Sequence, residues 1–167
     1  MSPRLLVSRA TDAATLAEAF ALRIAVFVDE QGVPLDEEVD ELDRAPTTAH
    51  VVVRRAEHGE VVGTGRLLTD AAHPGEVHVG RVAVAPSARG HGVGALVMQA
   101  LEEIALADHA SSGTTGRAEV RVLLSAQTQA SGFYERLGYE LHGPVYLDAG
   151  IDHRDAVKVL RRPQDLG

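Results

Sequence analysis

The segment Gly80-Arg81-Val82-Ala83-Val84-Ala85-Pro86-Ser87-Ala88-Arg89-Gly90-His91-Gly92-Val93-Gly94 constrains this chain more than any other. A β-branched run stops at a proline, and three glycines alternate behind an arginine. Val93, Leu96, Val97, Ala100, Leu101, Ile104 and Leu106 then recur at helical spacing. The pattern predicts a strand over 77–85, a tight turn and a helix over 92–107. A helix start carries N–H groups without intrahelical partners and the positive end of the helix dipole, which makes it a natural anion site. Gly90, Gly92 and Gly94 keep side chains away from bound oxygens, and Arg89 adds a fixed cation with fork-like donors. A pyrophosphate suits such a turn; a plain strand-to-helix connection is the alternative. No Lys-Ser/Thr pair opens the helix, so it is not a P-loop. G-x-G-x-G, with no acidic residue after a following strand, departs from the dinucleotide fingerprint.

The rest of the chain supplies partners for that unit. A strand is expected over 7–10, then Thr11 or Asp12 as a helix N-cap, and Leu16, Phe20, Ile24 and Phe27 as one apolar stripe with Arg23 beside it. This helix should end before Gly32 and Pro34. Asp29, Glu30, Asp36, Glu37, Glu38, Asp40, Glu41 and Asp43 crowd the next stretch. They read either as a solvated loop with a helical turn or as a negative rim for a cationic acceptor. A hairpin is expected from 49–54 and 61–68, and a surface loop over 111–116. A strand over 120–126, a helix over 128–137 closed by Gly138, and strands over 139–142 and 156–160 complete the order. These elements make an α/β domain around one mixed sheet, and 167 residues suit a single domain spanning 1–167.

Composition narrows the function. A formal net charge of −8 argues against nucleic acid as a partner. With no cysteine there is no thiolate nucleophile and no sulfur ligand, and eight histidines without an H-E-x-x-H pattern give no metal site. No apolar run approaches the roughly 18 residues that span a bilayer, and the first ten residues lack a signal-peptide pattern; no membrane association and a cytoplasmic location are expected.

The phosphate turn resembles that of the GNAT superfamily of N-acetyltransferases, whose pattern Q/R-x-x-G-x-G/A is matched by Arg89, Gly92 and Gly94. Arg81-Val82-Ala83-Val84 resembles the strand before that turn. Ser125-Ala126-Gln127 followed by Gly132-Phe133-Tyr134-Glu135-Arg136-Leu137-Gly138-Tyr139 resembles the second cofactor segment. Leu22-Arg23-Ile24-Ala25-Val26-Phe27-Val28-Asp29-Glu30-Gln31 and Gly150-Ile151-Asp152-His153 are similar to the ElaA-like branch. The resemblance implies a single-domain GNAT fold: a mixed, mostly antiparallel sheet, flanked by helices, with two parallel central strands that splay around the pantetheine arm of coenzyme A.

It also implies roles. The cofactor is acetyl-CoA or another short acyl-CoA, held by Val82, Ala83 and Val84, by the turn Arg89, Gly90, His91, Gly92, Val93, Gly94 and Ala95, and by Ser125, Gln127, Phe133 and Tyr134. Gln127 stands where many relatives carry Asn. Tyr134 is the general acid for the thiolate leaving group, and a backbone N–H near Val82 meets the oxyanion. Glu30, His78 and His153 are candidates for the base, His78 sharing a strand face with Gly80, Val82 and Val84 and pointing toward the cleft if that face lines it. Arg23, Phe27, Glu30 and His153 are expected around the acceptor, a small-molecule or peptide amine, with Arg23 divided between the substrate and a carboxylate of the acidic stretch. The leading expectation is direct transfer of an acyl group to a primary amine. A non-catalytic acyl-CoA sensor and a relative of acyl-homoserine-lactone synthases are the alternatives. Assembly stays open, a homodimer through an edge strand being one arrangement.

Overall fold

The computed structural model describes residues 4–112 and 116–163. The chain divides into two compact units, one drawn from 1–68 with 80–101 and the other from 69–79 with 102–167. In the first unit, β1 (Leu5–Arg9) runs antiparallel to β2 (Ala49–Arg55), and β2 antiparallel to β3 (Val61–Thr69). Strand side chains alternate between faces. Val52 therefore packs with Ala10 and with Ala19 of α1 (Ala13–Arg23), where Leu16 of the same helix and Val61 lie alongside. Val51 and Val53 lie opposite Gly65 and Gly63 on the other face.

Those two glycines set the position of α3 (Val93–His109). A methyl group at Gly65 would come within 2.7 Å of Val97 and 2.9 Å of Leu101, and one at Gly63 would collide with Val93. The helix therefore lies almost on the bare backbone of β3, where the fully buried Val93, Val97 and Leu101 interlock with the strand. Its N-terminus is pinned by core packing.

Asp12 caps α1, accepting from the Thr15 amide at 2.7 Å. The apolar stripe then continues into a π-helical stretch, Ile24–Glu30. After it come the one-turn helix α2 (Leu35–Glu38) and a 3₁₀ turn, Glu41–Arg44. The acidic stretch here is neither uniformly solvated nor uniformly a rim. Asp29, Glu30, Asp36, Glu37 and Glu41 are exposed, but Glu38 and Asp43 are buried. Arg23 bonds Glu38 at 2.8 Å and Asp43 at 2.6 Å, and Arg66 bonds Asp43 and Asp40 at 2.8 Å each. Buried carboxylates persist only with such partners.

In the second unit, the first four residues of β4 (Glu76–Val84) pair in parallel with β6 (Ala118–Gln127), from Glu76 with Arg121 to Val79 with Leu124. The ladder ends there and both strands continue. β6 runs antiparallel to β8 (Ile151–Arg161), and β7 (Glu140–Asp148) antiparallel to β8. The sheet order is β1-β2-β3-β4-β6-β8-β7, the expected mixed and mostly antiparallel sheet with one parallel pair.

Three local expectations change. Ser111–Ser112 form a short strand, β5, on β6, whereas 113–115 of the expected loop lie outside the described residues. The helix expected over 128–137 is a 3₁₀ turn, Thr128–Ala130, followed by α4 (Ser131–Arg136). β7 and β8 are longer than expected. Gly143 at φ +75 and a register shift between His142 and Tyr146 absorb Gly143-Pro144 without ending β7. Among the described residues no helix is long and apolar enough to cross a membrane.

Candidate active site

The phosphate-type turn is built as its residues dictate. After β4, Pro86–Ala88 forms a 3₁₀ turn, Gly90 and Gly92 adopt φ of +84 and +79, and the first helical hydrogen bond of α3 runs from Leu96 to the Gly92 carbonyl. Positive φ suits glycine. A Cβ on either glycine would meet nothing within 4 Å, so the turn is an open cradle. The amides of Val93, Gly94 and Ala95 precede the first intrahelical donor, and amides at such a helix start can take an anion.

Arg89 stands at this turn, exposed, and its guanidinium grips Glu30 by both nitrogens at 2.6 and 2.7 Å while its Nε reaches the Val84 carbonyl at 3.3 Å. The hydrogen bond from Arg89 holds the Glu30 carboxyl below its usual range. Glu30 at neutral pH is thus a carboxylate with a cation in place. Arg55 on β2 gives the turn a further anchor, donating to the Ser87 carbonyl at 3.0 Å. Nothing in the local sequence signals that contact, since Arg55 lies far upstream on another strand.

On β4, Ala83 is buried against Leu22 and Val26, with the half-buried Phe27 packed on the same cluster. Arg81 adopts φ +54 between Gly80 and Val82. The regular alternation that would align His78 and Gly80 with Val82 and Val84 is interrupted there. His78 is exposed. Of its two expected parts Arg23 takes the one in the acidic stretch: only 1% exposed, it is committed to Glu38 and Asp43.

In the second unit α4 presents Tyr134, buried at 9% exposure and packed edge-on against Phe133 at 4.9 Å and Tyr139 at 5.9 Å. Burial pushes its hydroxyl up to about 12. Tyr139 is itself fixed, donating to Glu102 at 2.9 Å, and Lys158 holds the same carboxylate at 2.8 Å. Gly138 at φ +95 closes the helix as expected. Ser125 and Gln127 stand on the last residues of β6, opposite Asp155 and His153 of β8. The Ser125 hydroxyl bonds that of Tyr146, which donates to Asp155 at 2.7 Å. His153 is buried, its Nδ1 2.7 Å from the Ile151 carbonyl and its ring stacked on Tyr146 at 6.2 Å. A strand ending at His142 does not reach Tyr146, which the continuation of β7 to Asp148 places here. A cleft of about 220 Å³, lined by His73, Glu76, Ser111, Glu119 and Arg121, opens at the start of β4 and β6 rather than at their ends.

The sequence matches the family model of the acetyltransferase (GNAT) domain over residues 47–141. This chain belongs to the GNAT family. The uncharacterized N-acetyltransferase YjcF of Bacillus subtilis is 41% identical over 144 residues, which cover 86% of this GNAT chain and 91% of that protein. A UPF0039 protein of Schizosaccharomyces pombe is 32% identical over 142 residues, 85% of this chain and 86% of its own. Among solved structures, an acyl-CoA N-acyltransferase from Pseudomonas aeruginosa superposes with a TM-score of 0.76 at 30% identity, covering 93% of this chain and 99% of that one. Escherichia coli ElaA superposes with a TM-score of 0.74 at 25% identity, covering 92% and 99%. The likeness to ElaA agrees with the branch suggested by Leu22 to Gln31 and Gly150 to His153.

Proposed function

We propose that this GNAT protein moves an acetyl or other short acyl group from acyl-CoA to a primary amine by direct attack. The observation that carries the reading is the open turn at the start of α3. Two glycines at positive φ, free helical amides and Arg89 converge there, the chemistry that holds a pyrophosphate. The acyl-CoA named for the similar Pseudomonas protein fits that donor set. Arg89 to Ala95 would hold the pyrophosphate, and the backbone of Val82 and Val84 the pantetheine amides.

Bound acyl-CoA supplies a thioester, and the chain's own groups do the rest. Tyr134, raised to about 12 by burial, stays protonated through the neutral range and can donate to a departing thiolate. Glu30, ionised beside Arg89, is a poor proton acceptor but a good partner for an ammonium group. We assign it to holding the acceptor, with water removing the amine's proton. Asp29, Asp36, Glu37 and Glu41 leave enough exposed acid for a cationic acceptor to be favoured.

The test is acetyl-CoA binding by calorimetry, wild type beside Gly92→Glu. Wild type should bind in the micromolar range and the variant should lose at least about tenfold, since a carboxylate would stand where the phosphates lie and a side chain would strain φ +79. If both bind equally, the turn is not the cofactor site. If wild type binds no acyl-CoA, the transferase reading fails.

A further inference from the structure

Arg81 is the one non-glycine residue inside a described strand with positive φ; the other, Ala149, lies in the β7–β8 turn. A φ of +54 strains a side-chain-bearing residue and persists only where the surroundings over-determine it. Glycine would sit there without strain, and the neighbouring position is Gly80. The chain nonetheless carries arginine, so the side chain has work that outweighs the strain.

That work is visible. The Arg81 Nε donates to the Glu38 carbonyl at 3.2 Å and its Nη2 to the Glu37 carbonyl at 3.0 Å. Both carbonyls end α2 and have no intrahelical donor. The guanidinium also lies 3.4 Å from the Glu38 carboxylate and 3.6 Å from that of Asp40. These acceptors do not give way, because Glu38 is held by Arg23 and Asp40 by Arg66, and Asp43 binds both arginines. On the C-terminal side of the kink Ala83 is locked against Leu22 and Val26. The next residue after the kink is Val82.

We infer that Arg81 is a positioning residue: its side chain, clamped by the acidic stretch, fixes the kink that sets the backbone of Val82 and Val84 for the pantetheine arm. This rests on the function proposed above. The buried arginine–carboxylate network then serves as the fixed end of a clamp whose other end is the cofactor strand, and the acidic stretch and that strand cannot shift independently.

The experiment compares acetyl-CoA with 3′-phosphoadenosine 5′-diphosphate, the part of CoA that lacks pantetheine, on wild type, Arg81→Ala, Arg81→Gly and Arg81→Asn. Alanine loses the clamp and is strained at this φ. Glycine loses the clamp but takes the φ freely, and asparagine tolerates it too. Thermal unfolding sets a temperature at which all are folded. Acetyl-CoA binding should weaken about tenfold in Arg81→Ala and no more than about threefold in the glycine and asparagine variants, with the fragment bound alike by all four. A role confined to stability predicts no contrast between alanine and glycine in affinity, and that result overturns the inference. So does equal loss of fragment binding, which would place the disturbance at the phosphate turn. Wild type that binds neither probe fails the proposed function itself, and the inference with it.

Discussion

At the scale of single residues, the pairing of Arg89 with Glu30 is the contact that sequence spacing could not anticipate, because the two residues lie 59 positions apart. Each had been assigned separately, the arginine to phosphate and the glutamate to the amine. On the function proposed above, a bound pyrophosphate would compete for the guanidinium and release Glu30 toward the acceptor. An exposed pair of this kind is weak and readily displaced. Glu30→Gln should therefore tighten acetyl-CoA binding about threefold, by removing a competitor for Arg89, while raising the KM of a cationic amine. Calorimetry and steady-state kinetics read the two effects, and a variant that binds acetyl-CoA more weakly than wild type would show that Glu30 supports the site rather than competing for it. Tyr134, by contrast, was singled out through the resemblance of Gly132 to Tyr139 to the family's second cofactor segment. Its burial adds a consequence. Because the hydroxyl titrates near 12, kcat at saturation should show no loss from Tyr134 up to about pH 10, where an ordinary tyrosine would be half ionised. Tyr134→Phe should lower kcat about a hundredfold with acetyl-CoA affinity kept. Unchanged turnover in the variant would remove the acid role.

Elements were legible where one period ran without interruption. The strand–turn–helix around Gly80 to Gly94, the hairpin of β2 and β3, and α1 with its Asp12 cap follow from spacing and capping chemistry. The misjudged elements are those where a local irregularity is absorbed rather than obeyed. Gly143-Pro144 reads as a strand terminator, yet a bulge carries β7 past it, and this brings Tyr146 to Ser125, Asp155 and His153. A π-helical stretch has no simple sequence signature, so Ile24–Glu30 reads as plain α-helix. Gly63 and Gly65 look like weaknesses in a strand until α3 is seen to need their bare backbone. The kink at Arg81 is the same lesson in a residue that gives no hint of it, and it spoils the face on which His78 had been grouped with Val82 and Val84.

For the whole molecule the least legible feature is where its charge goes. A net charge of −8 and a run of acids suggest a solvated surface, but two of those acids are interior and hold the fold against Arg23 and Arg66. Burial by itself would raise the Asp43 carboxyl; the hydrogen bond and charge of Arg23, with help from Arg66, outweigh it and hold the group at about 2. Glu38 goes the other way, since burial outweighs its arginines and raises it. The signs follow from linkage. A depressed carboxyl contributes stability that is complete above its unfolded value of 3.8 and is lost as pH falls from there toward 2, a loss on the order of 2 kcal/mol for Asp43. A raised carboxyl contributes the reverse, so protonating Glu38 above pH 4.5 offsets part of the cost of acidification. Asp43→Asn should therefore cost about 3 kcal/mol in urea unfolding at pH 7, by removing the carboxylate that two buried guanidinium groups share, and distinctly less at pH 3, where protonation of the unfolded chain has already removed part of that carboxylate's contribution in wild type. Glu38→Gln should remove the offset, so that its stability relative to wild type falls as pH drops from 7 to 4. A deficit in Asp43→Asn that is the same at both pH values would mean that the interior pair does not titrate with unfolding, and that the arginines find other partners when the carboxylate is gone.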